Sequence, residues 1–228
     1  MDGARTQKAD VTWRDGDVPV SRLFDDPYFS RADGLAEARH VYLAGNGLPD
    51  RFRPGLRIAE LGFGSGLNAL AAAVAWNAAD MPGALRFTSF EAWPMEPADM
   101  ARALSRWPEL AALAAPLVAA WEAGARRITL PGLDLEVIEG DAREILPDWT
   151  GIADAWFLDG FAPARNPELW EPDLLAHVAR RTASGGTFAT YSAAGAVRDA
   201  LRAAGFDVTR APGFGAKRHM SRGVLRGS

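Results

Sequence analysis

Two groups of residues in this chain have the types and spacing to do chemistry. The run Glu60-Leu61-Gly62-Phe63-Gly64-Ser65-Gly66-Leu67-Asn68 places three glycines at alternate positions. That spacing lets a backbone turn sharply, approach a ligand closely and aim the N–H groups of a following helix at an anionic group. Four carboxylates, Glu60, Glu91, Asp141 and Asp159, recur along the chain just where apolar runs end. A nucleoside calls for such groups, a carboxylate for its ribose hydroxyls and another acceptor for its exocyclic amine. One acid of this kind reads as a helix cap or loop residue, but four at the carboxyl ends of successive strands mark the edge along which ligands bind. Glu91, directly after the second strand, is expected to meet the ribose and Asp141 the adenine edge.

The form of the glycine run narrows the ligand. The dinucleotide fingerprint G-x-G-x-x-G needs glycine at position 67, where the chain has Leu67. No Lys follows as in a P-loop, and Phe63 stands where a G-x-S-x-G nucleophile elbow needs serine. What remains is G-x-G-x-G preceded by an acid, a form associated with adenosylmethionine, with a purely structural turn as the alternative. Further on, an apolar strand ends at Asp159 and enters a loop rich in proline and aromatics, through Phe161 to Pro167. In methyltransferases acting on amino groups, an acid or amide followed by Pro and an aromatic stands at this place, and Asp159 with Phe161 matches it loosely. Methyl transfer from a sulfonium needs a neutral nitrogen lone pair in line with the S–CH₃ bond, so positioning is a large part of the catalysis. Deprotonating a lysine-like amine at pH 7 costs about 4.6 kcal/mol. A neighbouring sulfonium lowers that cost, whereas a carboxylate alone raises it. Asp159 is therefore expected to orient the amine and receive its proton, with a cap inside its own loop as the alternative use.

The elements that must hold these residues read as alternating strands and helices from Leu56 onward, the signature of a parallel sheet covered by helices. Strands are expected at 57–61, 86–90, 133–138, 155–158, 186–191, 206–210 and 221–225, about seven in all, with the last pair close enough to be antiparallel. Leu67, Leu70, Ala71 and Val74 share one helical face behind the first strand. Helices are also expected over 97–121, broken at Pro108, and over 172–181 and 195–204. Before them, residues 11–20 read as a hairpin turning at Asp15-Gly16, followed by a polar and aromatic loop.

Composition bounds the rest. With 228 residues, 48% hydrophobic and 24% charged, one domain over 1–228 is expected, residues 1–55 forming an extension packed on it. The longest apolar run, twelve residues from Leu110 to Trp121, is too short for a membrane span. With no signal-like N-terminus either, a cytoplasmic protein is expected. The absence of cysteine excludes disulfides, thiolate metal sites and cysteine nucleophiles, and His40, His177 and His219 are scattered, so no metal is expected. The net charge of −4 conceals a split: from Arg180 onward nine basic residues face only Asp199 and Asp207, a local +7 that leaves −11 on the first 179 residues. Such asymmetry fits either a polyanionic partner or a solvated face.

Several strings together carry a family resemblance. They are Pro19 to Ser30, Gly34 to Arg39, Gly45 to Leu48, the G-F-G-S-G-L-N loop, Ser89-Phe90-Glu91, Trp156 to Pro167 and Gly213 to Arg218. Over nearly the whole chain they resemble the tRNA 5-methylaminomethyl-2-thiouridine methyltransferases, the methyltransferase half of bifunctional MnmC proteins that also occurs as stand-alone enzymes. The resemblance implies a class I Rossmann-like fold and methyl transfer from S-adenosyl-L-methionine to the amine of 5-aminomethyl-(2-thio)uridine at the tRNA wobble position. It implies that Glu60, Gly62, Gly64, Gly66, Asn68, Glu91, Asp141 and Asp159 bind the cofactor, and that Asp159 and Phe161 sit by the methyl and the amine. Tyr28, Phe29, Lys217 and Arg218 match family strings and are assigned to the substrate tRNA; the two rings serve either stacking or core packing. The bifunctional relatives carry an FAD-dependent second half. The chain ends at Ser228 without a second G-x-G-x-x-G, so that activity and FAD are expected to be absent unless these residues are a fragment. A class I methyltransferase acting on a small-molecule or protein amine, and a nucleotide-binding module without catalysis, are the competing readings.

Overall fold

The computed structural model describes residues 7–14 and 17–227. Strand β1 (Val11–Arg14) pairs antiparallel with β2 (Val18–Ser21), which pairs with the short β3 (Asp26–Pro27). The expected turn at Asp15-Gly16 lies outside the described residues. The polar loop expected next is helical instead. Asp33 caps α1 (Gly34–Glu37) by accepting from the Ala36 N–H, a π-helical turn follows over Ala38–Leu43, and a 3-10 turn over Ala44–Asn46. Leu35, Ala38, Val41 and Tyr42 are all buried, an apolar stripe at helical spacing that the flanking Gly34, Gly45 and Gly47 obscure in the sequence.

The alternation that follows is β4 (Arg57–Leu61), α2 (Leu67–Ala78), β5 (Leu85–Glu91), α3 (Pro97–Leu104), α4 (Ala111–Glu122), β6 (Arg127–Leu130) and β7 (Leu133–Glu139). Then come α5 (Ala142–Ile145), β8 (Ala153–Leu158), α6 (Pro172–Arg180), β9 (Thr182–Thr190), α7 (Gly195–Ala203), β10 (Phe206–Pro212) and β11 (His219–Leu225). The eight-stranded sheet runs β10-β11-β9-β8-β4-β5-β7-β6. Its five central strands, β9, β8, β4, β5 and β7, are parallel, and β11 lies antiparallel between β9 and β10, as expected for the last pair. The eighth strand, absent from the seven expected, is β6. It is only four residues long, with Ile128 and Leu130 inward, and forms a hairpin with β7 on the outer edge.

Both faces of the sheet are covered. Ile58, Phe87 and Phe157 face α2, α4 and the helical segment before β4, while Leu61, Phe90 and Trp156 face α6 and α7. Four alanines of α2, Ala69, Ala71, Ala72 and Ala73, are buried, which brings that helix close to the strands. The chain runs outward from β4 through β5 to β7, then returns to β8 on the other side of β4. The order therefore reverses between β4 and β8, and in open α/β sheets ligands bind where the loops leaving the carboxyl ends of such strands part.

Candidate active site

The two loops that part there are Gly62–Gly66 after β4 and the segment from Asp159 after β8. Gly62, Gly64 and Gly66 all have positive φ, 85°, 54° and 82°, which excludes ordinary side chains without strain. A Cβ on Gly62 would stand 3.3 Å from the Asp159 carbonyl oxygen, and one on Gly64 equally close to the Tyr28 ring. The glycines thus let the loop lie against its neighbours and keep a cavity of about 1120 Å³ open beside them. That exceeds the ~300–1,000 Å³ usual for one small ligand.

Glu91, at the end of β5, lines this cavity and is held by the glycine loop: Oε2 accepts from the Gly64 N–H at 2.8 Å and Oε1 from the Trp93 N–H at 2.8 Å. Burial pushes its pKa up to about 7, against the pull of those N–H groups and that of Phe63. A carboxylate accepts about four hydrogen bonds, so lone pairs remain for a diol. Asp141 also lines the cavity, but it caps α5 through the Arg143 N–H at 2.9 Å and grips the Arg143 guanidinium at 2.6 Å. The guanidinium holds its pKa below the ordinary value. The cap of α5 thus also lines the cavity.

Asp159 stands on the cavity wall with both oxygens engaged. Oδ1 accepts from its neighbour Gly160 N–H and Oδ2 from Asn68 Nδ2, each at 2.8 Å, and the phenol of Tyr42 lies beside the carboxyl. Burial pushes its pKa up to about 6, opposed by Tyr42, Gly160 and Asn68. Phe161 belongs to a run of rings along the rim: it stacks on Phe24 at 4.7 Å between centroids and meets Tyr28 edge-on at 5.1 Å, while Phe24 meets Trp93 at 4.9 Å. Asp26 accepts from the Ala162 N–H at 2.7 Å, fastening this loop to the N-terminal strands.

Other expected site residues separate. Glu60 is fully buried and has no surface in the cavity; its oxygens accept from Ser89 Oγ and Asn68 Nδ2. Phe29 lines the cavity but packs edge-on to Trp107 beneath Gly34, and Tyr28 is the ring of that pair placed against the glycine loop. Lys217 reaches the cavity, paired with Glu37 at 2.9 Å and lying 3.8 Å over the Tyr191 ring, whereas the adjacent Arg218 is exposed and outside it. Tyr42, Glu37, Tyr191, Phe24 and Trp93 were not singled out from the sequence. Their neighbours at the site come from distant segments, and only Phe24 and Glu37 fall inside a recognisable string.

Among known proteins, the pattern of an S-adenosyl-L-methionine-dependent methyltransferase family matches residues 108–226, just over half of the chain. The chain belongs to that family. This methyltransferase is 48% identical over 221 residues to the tRNA 5-methylaminomethyl-2-thiouridine biosynthesis bifunctional protein MnmC of Caulobacter vibrioides, covering 93% of this chain and 37% of that one. It is 46% identical over 228 residues to the protein of the same name from Chromobacterium violaceum, covering 95% and 34%. The methyltransferase therefore spans about a third of the length of these relatives. Its fold matches the crystal structure of MnmC2 from Aquifex aeolicus with a TM-score of 0.76 and 24% identity, over 99% of this chain and 73% of that chain. Among the described residues of the methyltransferase no cluster of three or more His, Asp or Glu could hold a metal ion, and no helix is long and apolar enough to cross a membrane.

Proposed function

We propose that this methyltransferase converts 5-aminomethyl-(2-thio)uridine at the wobble position of tRNA to 5-methylaminomethyl-(2-thio)uridine, in the cytoplasm and as a single catalytic domain over 1–228. The reading is carried by Asp159, a hydrogen-bonded carboxylate on the wall of a cavity shared with the glycine loop. It is supported by relatives named for biosynthesis of that nucleoside. The cavity fits adenosylmethionine: side chains at the three glycines would fill the loop, and Glu91 keeps spare acceptors beside it. The cofactor supplies a methyl group activated on a sulfonium. Gly62, Gly64 and Gly66 would cradle it, Glu91 would take the ribose hydroxyls and Asp141 the adenine edge.

The chain's own residues then handle the amine. Asp159 accepts an N–H of the neutral amine, which orients the lone pair toward the methyl group. Transfer leaves a secondary ammonium, and its proton passes to Asp159 and out to solvent. A carboxyl with a pKa near 6 suits that relay, being ionised at neutral pH yet basic enough to hold a proton briefly. The run of rings formed by Trp93, Phe24, Phe161 and Tyr28 offers stacking surfaces for a splayed-out base. Incubation with methyl-labelled adenosylmethionine and tRNA bearing 5-aminomethyluridine should label the tRNA. Labelling of a small amine or a protein in its place would move the reading to a different amine, and no labelling despite bound cofactor would end it.

A further inference from the structure

Glu60 is a carboxyl that neither the cavity nor the fold explains. It sits in the central strand β4 between Ala59 and Leu61, is wholly buried, and meets no cation among the described residues; its partners are the neutral donors Ser89 Oγ at 2.7 Å and Asn68 Nδ2 at 2.8 Å. Burying a carboxyl among neutral groups costs several kcal/mol, and an apolar residue would avoid that cost. The strand register puts Glu60 level with Ser89 on β5 and Phe157 on β8, and Asn68 lies in the first turn of α2. From there the same Asn68 nitrogen donates to Asp159 Oδ2 at 2.8 Å.

An asparagine amide has two donor hydrogens on one side and an acceptor oxygen on the other, and which side faces a neighbour is decided by its partners. Here Oε1 of Glu60 accepts one hydrogen of Asn68, so the NH₂ must turn toward Glu60 and its second hydrogen points at Asp159. Without Glu60 the amide loses one of its two anchors, and its NH₂ is free to swing out of line with the Asp159 carboxylate. We infer that Glu60 is a positioning residue that acts on Asp159 through Asn68, anchoring the amide so that the carboxylate always meets a well-placed donor. Glu60 therefore does not touch cofactor or substrate, and this inference rests on the methyl-transfer role of Asp159 proposed above. Protonation of Glu60 leaves the device intact, because the proton can sit on the oxygen facing Ser89, whose hydroxyl accepts as well as donates.

The groups facing Asp159 are Glu37 and Tyr42 from the helical segment before β4, Glu60 through Asn68, Asn68 from α2, and Tyr191 following β9. Loss of the Asn68 donor removes one of the contacts that hold the Asp159 pKa down, so the acid limb of activity should move to higher pH. Glu60→Leu is expected to lower kcat at least tenfold with the adenosylmethionine Kd unchanged within threefold. Glu60→Gln, which can offer its oxygen to Asn68 and its NH₂ to Ser89, should stay within threefold of the native kcat. The double variant Glu60→Leu/Asn68→Leu should be no slower than Asn68→Leu alone, because the two act in series. A readout free of turnover is the Asn68 side-chain NH₂ resonance by NMR, which should follow the titration of Asp159 in the native chain and in Glu60→Gln but not in Glu60→Leu. Additive losses in the cycle, a weakened cofactor Kd in Glu60→Leu, or an unchanged kcat would overturn the inference. If Glu60→Leu fails to fold, a tenfold loss in Glu60→Gln overturns it equally. Absence of turnover in the native chain bears on the proposed function instead, and leaves the NMR result to decide the amide orientation.

Discussion

At the scale of single residues the proposed site rests on two carboxylates, Glu91 buried and Asp159 half-buried, with different duties. In the proposed reaction Asp159 accepts an amine N–H and so acts in its ionised form, and burial has moved its pKa up to about 6. A raised pKa means the charged form is lost as pH falls through that value. The expected kcat/KM falls more steeply below about pH 6 than ionisation of the amine alone requires, a limb that pH-rate profiles will show and that Asp159→Asn should abolish. Asp159→Asn should also keep the adenosylmethionine affinity and slow methylation at least tenfold; an unchanged turnover number rejects its role. Glu91 is held by N–H groups of Gly64 and Trp93 with acceptors to spare. One hydrogen bond from a ribose hydroxyl to a charged group is worth roughly 1.5–3 kcal/mol. Glu91→Ala should therefore weaken cofactor binding tenfold to a hundredfold by calorimetry, and an unaltered affinity would remove Glu91 from the site.

At the scale of elements the glycine loop is what joins β4 to α2 and leaves room beside Asp159. Gly66 has φ 82°, and a Cβ there would stand 2.9 Å from Phe63 Cζ and 3.0 Å from Leu117 Cδ2. Gly66→Ala should destabilise the fold by about 1–3 kcal/mol in denaturant titration and reduce the melting-temperature rise given by adenosylmethionine. This loop and the parallel strands around it were legible because alternate glycines at a strand end and apolar runs of strand length are local signals; 57–61 for β4 is the case in point. The helical segment Gly34–Asn46 was not, since its glycines mask a short stripe whose ends depend on capping by Asp33 and on burial against the sheet. Tyr42 and Tyr191 were missed for the same reason: nothing near them in sequence marks them, and both acquire meaning only from Asp159 and Gly160, far along the chain. Asp141 shows the reverse, a residue whose local role as a cap and whose place on the cavity coincide.

At the scale of the whole molecule the charge split divides into paired and unpaired side chains. In the last third of the chain Lys217, Arg202 and Arg226 are paired with Glu37, Asp199 and Asp207. Arg210, Arg218 and Arg222 are exposed and take part in no ion pair among the described residues. If these three meet phosphates, replacing all of them by Ala should weaken tRNA binding and reduce the slope of log K against log salt by roughly 2, with little effect on cofactor affinity. A slope that does not change would leave them as a solvated face.

The central claim is that a cofactor cavity and Asp159 together methylate one amine of one nucleoside. Nucleoside mass spectrometry decides it after incubation with adenosylmethionine, using two samples of one tRNA that differ only in carrying or lacking the wobble aminomethyl group. The account predicts a gain of a single methyl on the aminomethyl nucleoside, none on the tRNA lacking it, and an initial rate at least tenfold lower with Asp159→Asn. Methyl gained on any other nucleoside, or none gained while adenosylmethionine is demonstrably bound, would contradict it.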